Sequence, residues 1–151
     1  MALKEQIQAE LKAALLSGSR FDADVLRGLK AVILNEEVAS GKRDEGLGDE
    51  EIEKVVAREV KKRAESIRLY EENNRPELAE NERNEIAILE KYLPAQMSEA
   101  ELEALVDETI ASLSEVTMQQ MGQVIGAVKA KAGNAADGAL IAQLVKAKLS
   151  K

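Results

Sequence analysis

The 151 residues are 45% apolar and 32% charged with a net charge of −7, the balance of a folded chain of one or two small domains rather than of a disordered one. Cysteine and histidine are both absent, which excludes disulfides, thiolate chemistry, the commonest zinc ligand and the usual general base near neutral pH. No run of about 20 apolar residues exists to span a membrane, and no membrane partner is expected. The opening MALKEQIQAELKAALL interrupts its apolar positions with charge, unlike a signal peptide, and a cysteine-free chain fits the cytoplasm.

Leu3, Ile7, Leu11 and Leu15 recur every four residues and predict a first helix that stops at Ser17-Gly18. Asp22 or Asp24 opens a second, with Val25, Leu26, Leu29, Ile33 and Val38 facing inward and Gly41 as its stop. GKRDEGLGD, residues 41–49, reads as a polar loop. Asp49 then caps a long third helix with Ile52, Val55, Val56, Val60, Ile67 and Tyr70 inward, ended by Asn73-Asn74-Arg75. Pro76 suits the first turn of a fourth helix, where its missing N–H costs nothing. Leu78, Ile86, Leu89 and Leu93 carry that helix to Pro94, which disfavours helical geometry at the residue before it.

Ser98-Glu-Ala-Glu101 is a capping box that restarts the chain as a fifth helix with Leu102, Leu105, Val106, Ile110 and Leu113 on one face. A second box, Thr117 to Gln120, opens a sixth helix with Met121, Val124, Ile125 and Val128 inward, ended by Gly133 and Asn134. Asp137 caps a seventh with Leu140, Ile141, Leu144, Val145 and Leu149. The expected architecture is all-α: an N-terminal bundle of about four helices, residues 1–93, then a C-terminal three-helix bundle, residues 94–151. Tyr92, Leu93 and Pro94 form the junction, where Tyr92 is expected to pack and to hydrogen-bond through its hydroxyl. Met118 and Met121 are expected to fill core.

Charge follows the same division. Residues 1–93 hold 16 basic and 21 acidic side chains, residues 94–122 hold six acidic and no basic ones, and residues 123–151 hold five lysines against Asp137 alone. Overall acidity argues against tight non-specific nucleic-acid binding, yet the last two helices present Lys129, Lys131, Lys146 and Lys148. Lysine near a helix C-terminus is also expected from the macrodipole alone. Gly122 and Gly126 share a helix face and suit either close helix packing or close approach of an RNA backbone. A second basic set, Arg58, Lys61 and Lys62, lies on the third helix. It reads either as a solvated face paired with Glu59 and Glu65 or as a phosphate patch. With three aromatics in all, Phe21, Tyr70 and Tyr92, stacking on single-stranded bases is not expected, so any RNA contact reads shape and phosphates.

Catalytic chemistry finds little to use. Covalent catalysis needs an activated nucleophile, and the eight serines lie mostly in caps and turns. SGKR, residues 40–43, lacks the upstream glycine of a phosphate loop. DEGLGDEE, residues 44–51, does not fit EF-hand spacing, and acidic residues at a helix start are expected for dipole reasons. No catalytic residue, metal or cofactor is expected.

EIAILEKYLPAQMSEAELEALV, MGQVIGAVKAK and ADGALIAQLVKAKL, together with EVKKRAESI and YEENNRPELAENERNE, resemble the GatB/YqeY family, specifically its stand-alone YqeY-like proteins, over essentially the whole chain. The resemblance implies a two-part, all-helical protein. Its C-terminal three helices are similar to the tail domain of the B subunit of glutamine-dependent aminoacyl-tRNA amidotransferase, a tail that helps hold the tRNA body. The catalytic core of that subunit and the amidase that liberates ammonia have no counterpart here. The implied function is a non-catalytic, tRNA-associated accessory module contacting tRNA through the last two helices. One alternative is a protein–protein adaptor without an RNA role, setting its acidic first part against a basic partner. The other is a subunit contributing to carbon–nitrogen ligase activity with glutamine as amido donor, its partner being the amidotransferase or another protein.

Overall fold

The computed structural model describes residues 2–150 and is all-α, with no strand among them. The chain divides between Leu93 and Pro94 into two compact units.

The first unit holds four α-helices: α1 (Leu3–Ser17), α2 (Arg20–Ala39), α3 (Asp49–Glu72) and α4 (Pro76–Leu89), the last running into a 3-10 turn, Glu90–Tyr92. Its core is a single cluster. Ile7, Leu11 and Ala14 of α1 meet Val25, Leu26, Leu29 and Ile33 of α2, Ile52, Val55 and Val56 of α3, and Ile88, Leu89 and Tyr92 after α4. Each fully buried Ile or Leu contributes about 1.5–3 kcal/mol. That core ends at Val56 on α3. Beyond it, Val60, Ile67 and Tyr70 are only half-buried, and α3 and α4 are joined by charge. Arg63 faces Glu59 at 3.1 Å, Glu85 at 3.1 Å and Glu82 at 3.9 Å, and Arg83 pairs with Glu71.

Helix ends follow backbone chemistry closely. Ser19 N–H donates to Ala14 C=O, Lys42 to Glu37 and Arg75 to Tyr70, each across a left-handed residue: Gly18, Gly41 and Asn74. These are Schellman closures, which satisfy carbonyls the helix leaves orphaned. Pro76 occupies the first turn of α4.

Several sequence expectations are corrected here. Leu15 and Val38, expected in the core, are 53% and 56% exposed, and Leu78 is 41% exposed; Ala14, Glu37 and Ala79 take the inward positions instead. α2 starts at Arg20 behind Ser19, ahead of Asp22 and Asp24. Asp49 is the first residue of α3 and not its cap, and its carboxylate accepts the Leu3 N–H at 2.8 Å. α4 stops at Leu89, tightens into the 3-10 turn, and leaves Leu93 extended at φ −95°, ψ 150°, as a following proline requires.

The second unit holds α5 (Glu99–Ala111), α6 (Met121–Ala132) and α7 (Gly138–Leu149) around Leu102, Val106, Val124, Val128, Ala132, Ile141 and Val145. After Pro94 the chain is anchored by Met97 N–H on Ala135 C=O at 2.8 Å and by the Gln96 amide on Asn134 C=O at 3.1 Å. Ser98 and Glu101 form the expected capping box. The Thr117–Gln120 box caps a 3-10 turn, Met118–Gln120, that leads directly into α6. Met118 is 43% exposed and fills no core. Asp137 caps α7 through the Ala139 N–H.

Candidate nucleic-acid interface

The lysines of α6 and α7 do not form one cluster. Helical spacing of i, i+4 and i+7 places Gly122, Gly126 and Lys129 on one stripe of α6. Lys131, two residues on, lies on the other flank of the buried Val124–Val128 line. Lys129 leans over the start of α7, its Cε and Nζ close against Gly138. Lys146 lies eight residues further along α7, about 12 Å at 1.5 Å per residue. Lys129, Lys131 and Lys146 are exposed and make no ion pair among the described residues.

Lys148 differs. It falls on the side of α7 that faces α5, where its ammonium sits 3.0 Å from Glu103 and 3.1 Å from Asp107. The hydrogen bonds it donates to both carboxylates push its pKa up. Its charge is already answered within the unit, so it braces α7 against α5 and offers little to a phosphate.

Gly122 and Gly126 have open space above them: a Cβ built at either meets nothing within 4 Å. Helix packing therefore does not explain them. A helical glycine costs about 0.5–1 kcal/mol against alanine, and nothing inside this unit offsets that cost.

Two of the three residues of the second basic set are already engaged. Arg58 pairs with Glu36 of α2 at 3.1 Å, and Lys61 has a partner as well. Arg63 and Arg68 take Glu59 and Glu65 as local helical partners. Of Arg58, Lys61 and Lys62, only Lys62 stands exposed without a partner.

Two polar arrangements, at Glu37 and Glu82, were not expected from sequence, and a third, at Tyr92, was. Glu37 is 2% exposed, yet accepts Lys4 Nζ at 2.7 Å and the Leu47 N–H at 2.9 Å. The Lys4 hydrogen bond holds its carboxyl below the usual carboxylate range, against the opposing effect of burial. Glu82 goes the other way, raised by burial and by the neighbouring carboxylate of Glu85. Tyr92 packs within the core of the first unit and its hydroxyl donates to Glu10; burial, then that contact, push the phenol's pKa up. Glu37 continues the Leu26, Leu29, Ile33 spacing, which was the available signal for it.

The serine hydroxyls serve the backbone. Ser17, Ser40, Ser66, Ser112 and Ser150 each donate to a carbonyl three or four residues earlier, and Ser98 accepts the Glu101 N–H. None of these contacts pairs a nucleophile with a base. Among the described residues no group of three or more Asp or Glu side chains could hold a metal ion.

Comparison with known proteins places the chain in a family. The chain is similar to proteins named "Altered inheritance of mitochondria protein 41, mitochondrial". It is 32% identical over 125 residues to that of Kluyveromyces lactis, 27% over 127 residues to that of Clavispora lusitaniae, and 30% over 112 residues to that of Lachancea thermotolerans. The matches cover 81%, 84% and 72% of this chain and 66%, 72% and 58% of those proteins, so the chain spans about two thirds of the length of the relatives it matches. The Yqey-like protein family model matches residues 4–149, and the chain belongs to that family.

Proposed function

We propose that this chain is a non-catalytic accessory module, cytoplasmic, that associates with tRNA through its C-terminal unit. The observation that carries the reading is the Gly122–Gly126–Lys129 stripe: two helix glycines open to solvent beside an exposed ammonium that no carboxylate answers. A backbone without side chains lets a phosphodiester approach closely, and Lys129, Lys131 and Lys146 act as point charges on separate phosphates. The resemblance of these helices to an amidotransferase tail supports the choice of tRNA. The serine geometry supports a binding role over ligase chemistry, and the cysteine-free composition suits a reducing compartment.

The test is a tRNA mobility-shift series at several salt concentrations. Changing Lys129, Lys131 and Lys146 together to glutamate abolishes binding, while single changes lower the salt slope by about one each. Reversal of Arg58, Lys61 and Lys62 leaves binding in place. Loss of binding only in that second set, or no binding of the wild type at low salt, refutes the proposal.

A further inference from the structure

A groove along the outer side of α1 and α2 has no role in the tRNA reading. Two cavities lie on it, about 620 Å³ beside Ala14, Leu15, Arg20 and Arg27, and about 340 Å³ beside Lys4, Lys30 and Leu34. Both fall on the same side of the helix pair. Lys4 and Leu15 are eleven residues apart on α1, and Arg20, Arg27 and Leu34 are spaced by seven on α2, which places each set on one face. From Lys4 to Leu15 the groove runs about 17 Å, three helical turns. Its walls carry exposed leucines, Leu15 at 53% and Leu34 at 47%.

The charge along this groove opposes that of the rest of the unit. Lys4, Arg20, Arg27 and Lys30 border it, against Asp24 and the buried Glu37. Glu37 is answered by Lys4 and Asp24 by Arg27 at 3.4 Å. Arg20 and Lys30 have no carboxylate partner among the described residues. A cationic, leucine-walled trough of helical length in an acidic chain is complementary to one kind of ligand. Its concave shape suits a helix rather than a flat bilayer.

We infer that the α1–α2 groove docks an acidic amphipathic helix of a partner protein. The partner's leucine-type residues at i, i+3/i+4 and i+7 would pack between Leu15 and Leu34, and its carboxylates would meet Arg20, Arg27 and Lys30. The adaptor expectation set an acidic surface against a basic partner; here the sign is reversed.

The probe is a labelled helical peptide of about four turns, with leucines at that spacing and glutamates elsewhere. Its control carries lysine in place of every glutamate. Binding to the full chain is read by fluorescence anisotropy and mapped by amide chemical shifts. The acidic peptide binds at least about tenfold tighter than the basic one, shifts Leu15, Ala31 and Leu34, and loses about tenfold or more in affinity on combined Arg20→Glu, Arg27→Glu and Lys30→Glu substitution. Leu34→Asp weakens it too, with the melting curve of each variant kept as a fold control. Equal binding of both peptides, or shifts confined to other surfaces, overturns the inference. So does a concentration-dependent dimer in sedimentation that Leu34→Asp dissolves, since a second copy then fills the groove. Binding to phosphatidylglycerol vesicles that the charge reversal removes, without peptide binding, overturns it in favour of a lipid surface.

Discussion

Alanine at Gly126 stabilises the second unit. The residue lies in the middle of α6, outside the left-handed region, and a methyl built there meets no atom within 4 Å. The whole propensity difference is therefore available, about 0.5–1 kcal/mol, partly through a less flexible unfolded chain. Gly122, the second residue of α6, gains less, and the double variant gains less than about 2 kcal/mol but more than Gly126→Ala alone if the two add. Native-state hydrogen exchange at Val124 and Val128 reads this as roughly fivefold more protection per kcal/mol. A melting transition of a domain this size moves by about 4–8 °C per kcal/mol. Gly46 supplies the opposite sign: at φ +76°, a methyl would stand 3.2 Å from both Glu37 Oε2 and Lys4 Nζ, so alanine destabilises there. Unchanged or lowered stability in Gly126→Ala refutes the argument, because it means that something inside the protein closes over that stripe. The same variant reports on function: greater stability with weaker tRNA binding locates the contact at the glycines, whereas greater stability with unchanged binding removes them from it.

Glu37→Ala costs about 1–3 kcal/mol in urea melts at neutral pH, because the Leu47 N–H loses its acceptor. In the wild type the contribution of Glu37 is full above its ordinary pKa of 4.5 and is lost as pH falls through the depressed folded value, a slope that Glu37→Ala abolishes. Glu82 has the reverse linkage: its raised carboxyl favours the folded state when protonated, and that stability is lost as pH rises through the folded value. Glu82→Gln flattens this slope and is more stable than wild type at neutral pH; a variant less stable at every pH shows that Arg63 needs the Glu82 charge. The purified chain releases no ammonia from glutamine above a heat-killed control, and any such release refutes the non-catalytic reading.

The fold class was legible because the helices announce themselves twice, by apolar spacing and by terminal chemistry. Ser98 with Glu101, Pro76, and Asn74 with Arg75 are local signals, and local geometry decides them. What sequence missed was decided between helices. Leu15 satisfies a four-residue spacing, but a helix turns every 3.6 residues, so a strict four drifts off the buried face by the fourth repeat, while Val38, five residues after Ile33, turns past it. Ala14 and Glu37 hold that face instead, and Glu37 can do so only because Lys4 is there to meet it. The candidate site divides along the same line. Spacing alone separates Lys129 from Lys131 and Lys146 from Lys148, since residues two apart point to different sides. That Lys148 meets Glu103 and Asp107, or that Arg58 meets Glu36, depends on which helices become neighbours.

The phenol of Tyr92, shut into the first core and bonded to Glu10, has a spectroscopic consequence. There is no tryptophan, and Phe21, Tyr70 and Tyr92 all precede Pro94. Intrinsic tyrosine emission therefore reports on the first unit alone. The second unit carries no aromatic chromophore. A tryptophan at exposed Met118 gives it a separate optical signal, so the unfolding of each unit can be followed at its own wavelength in one intact chain.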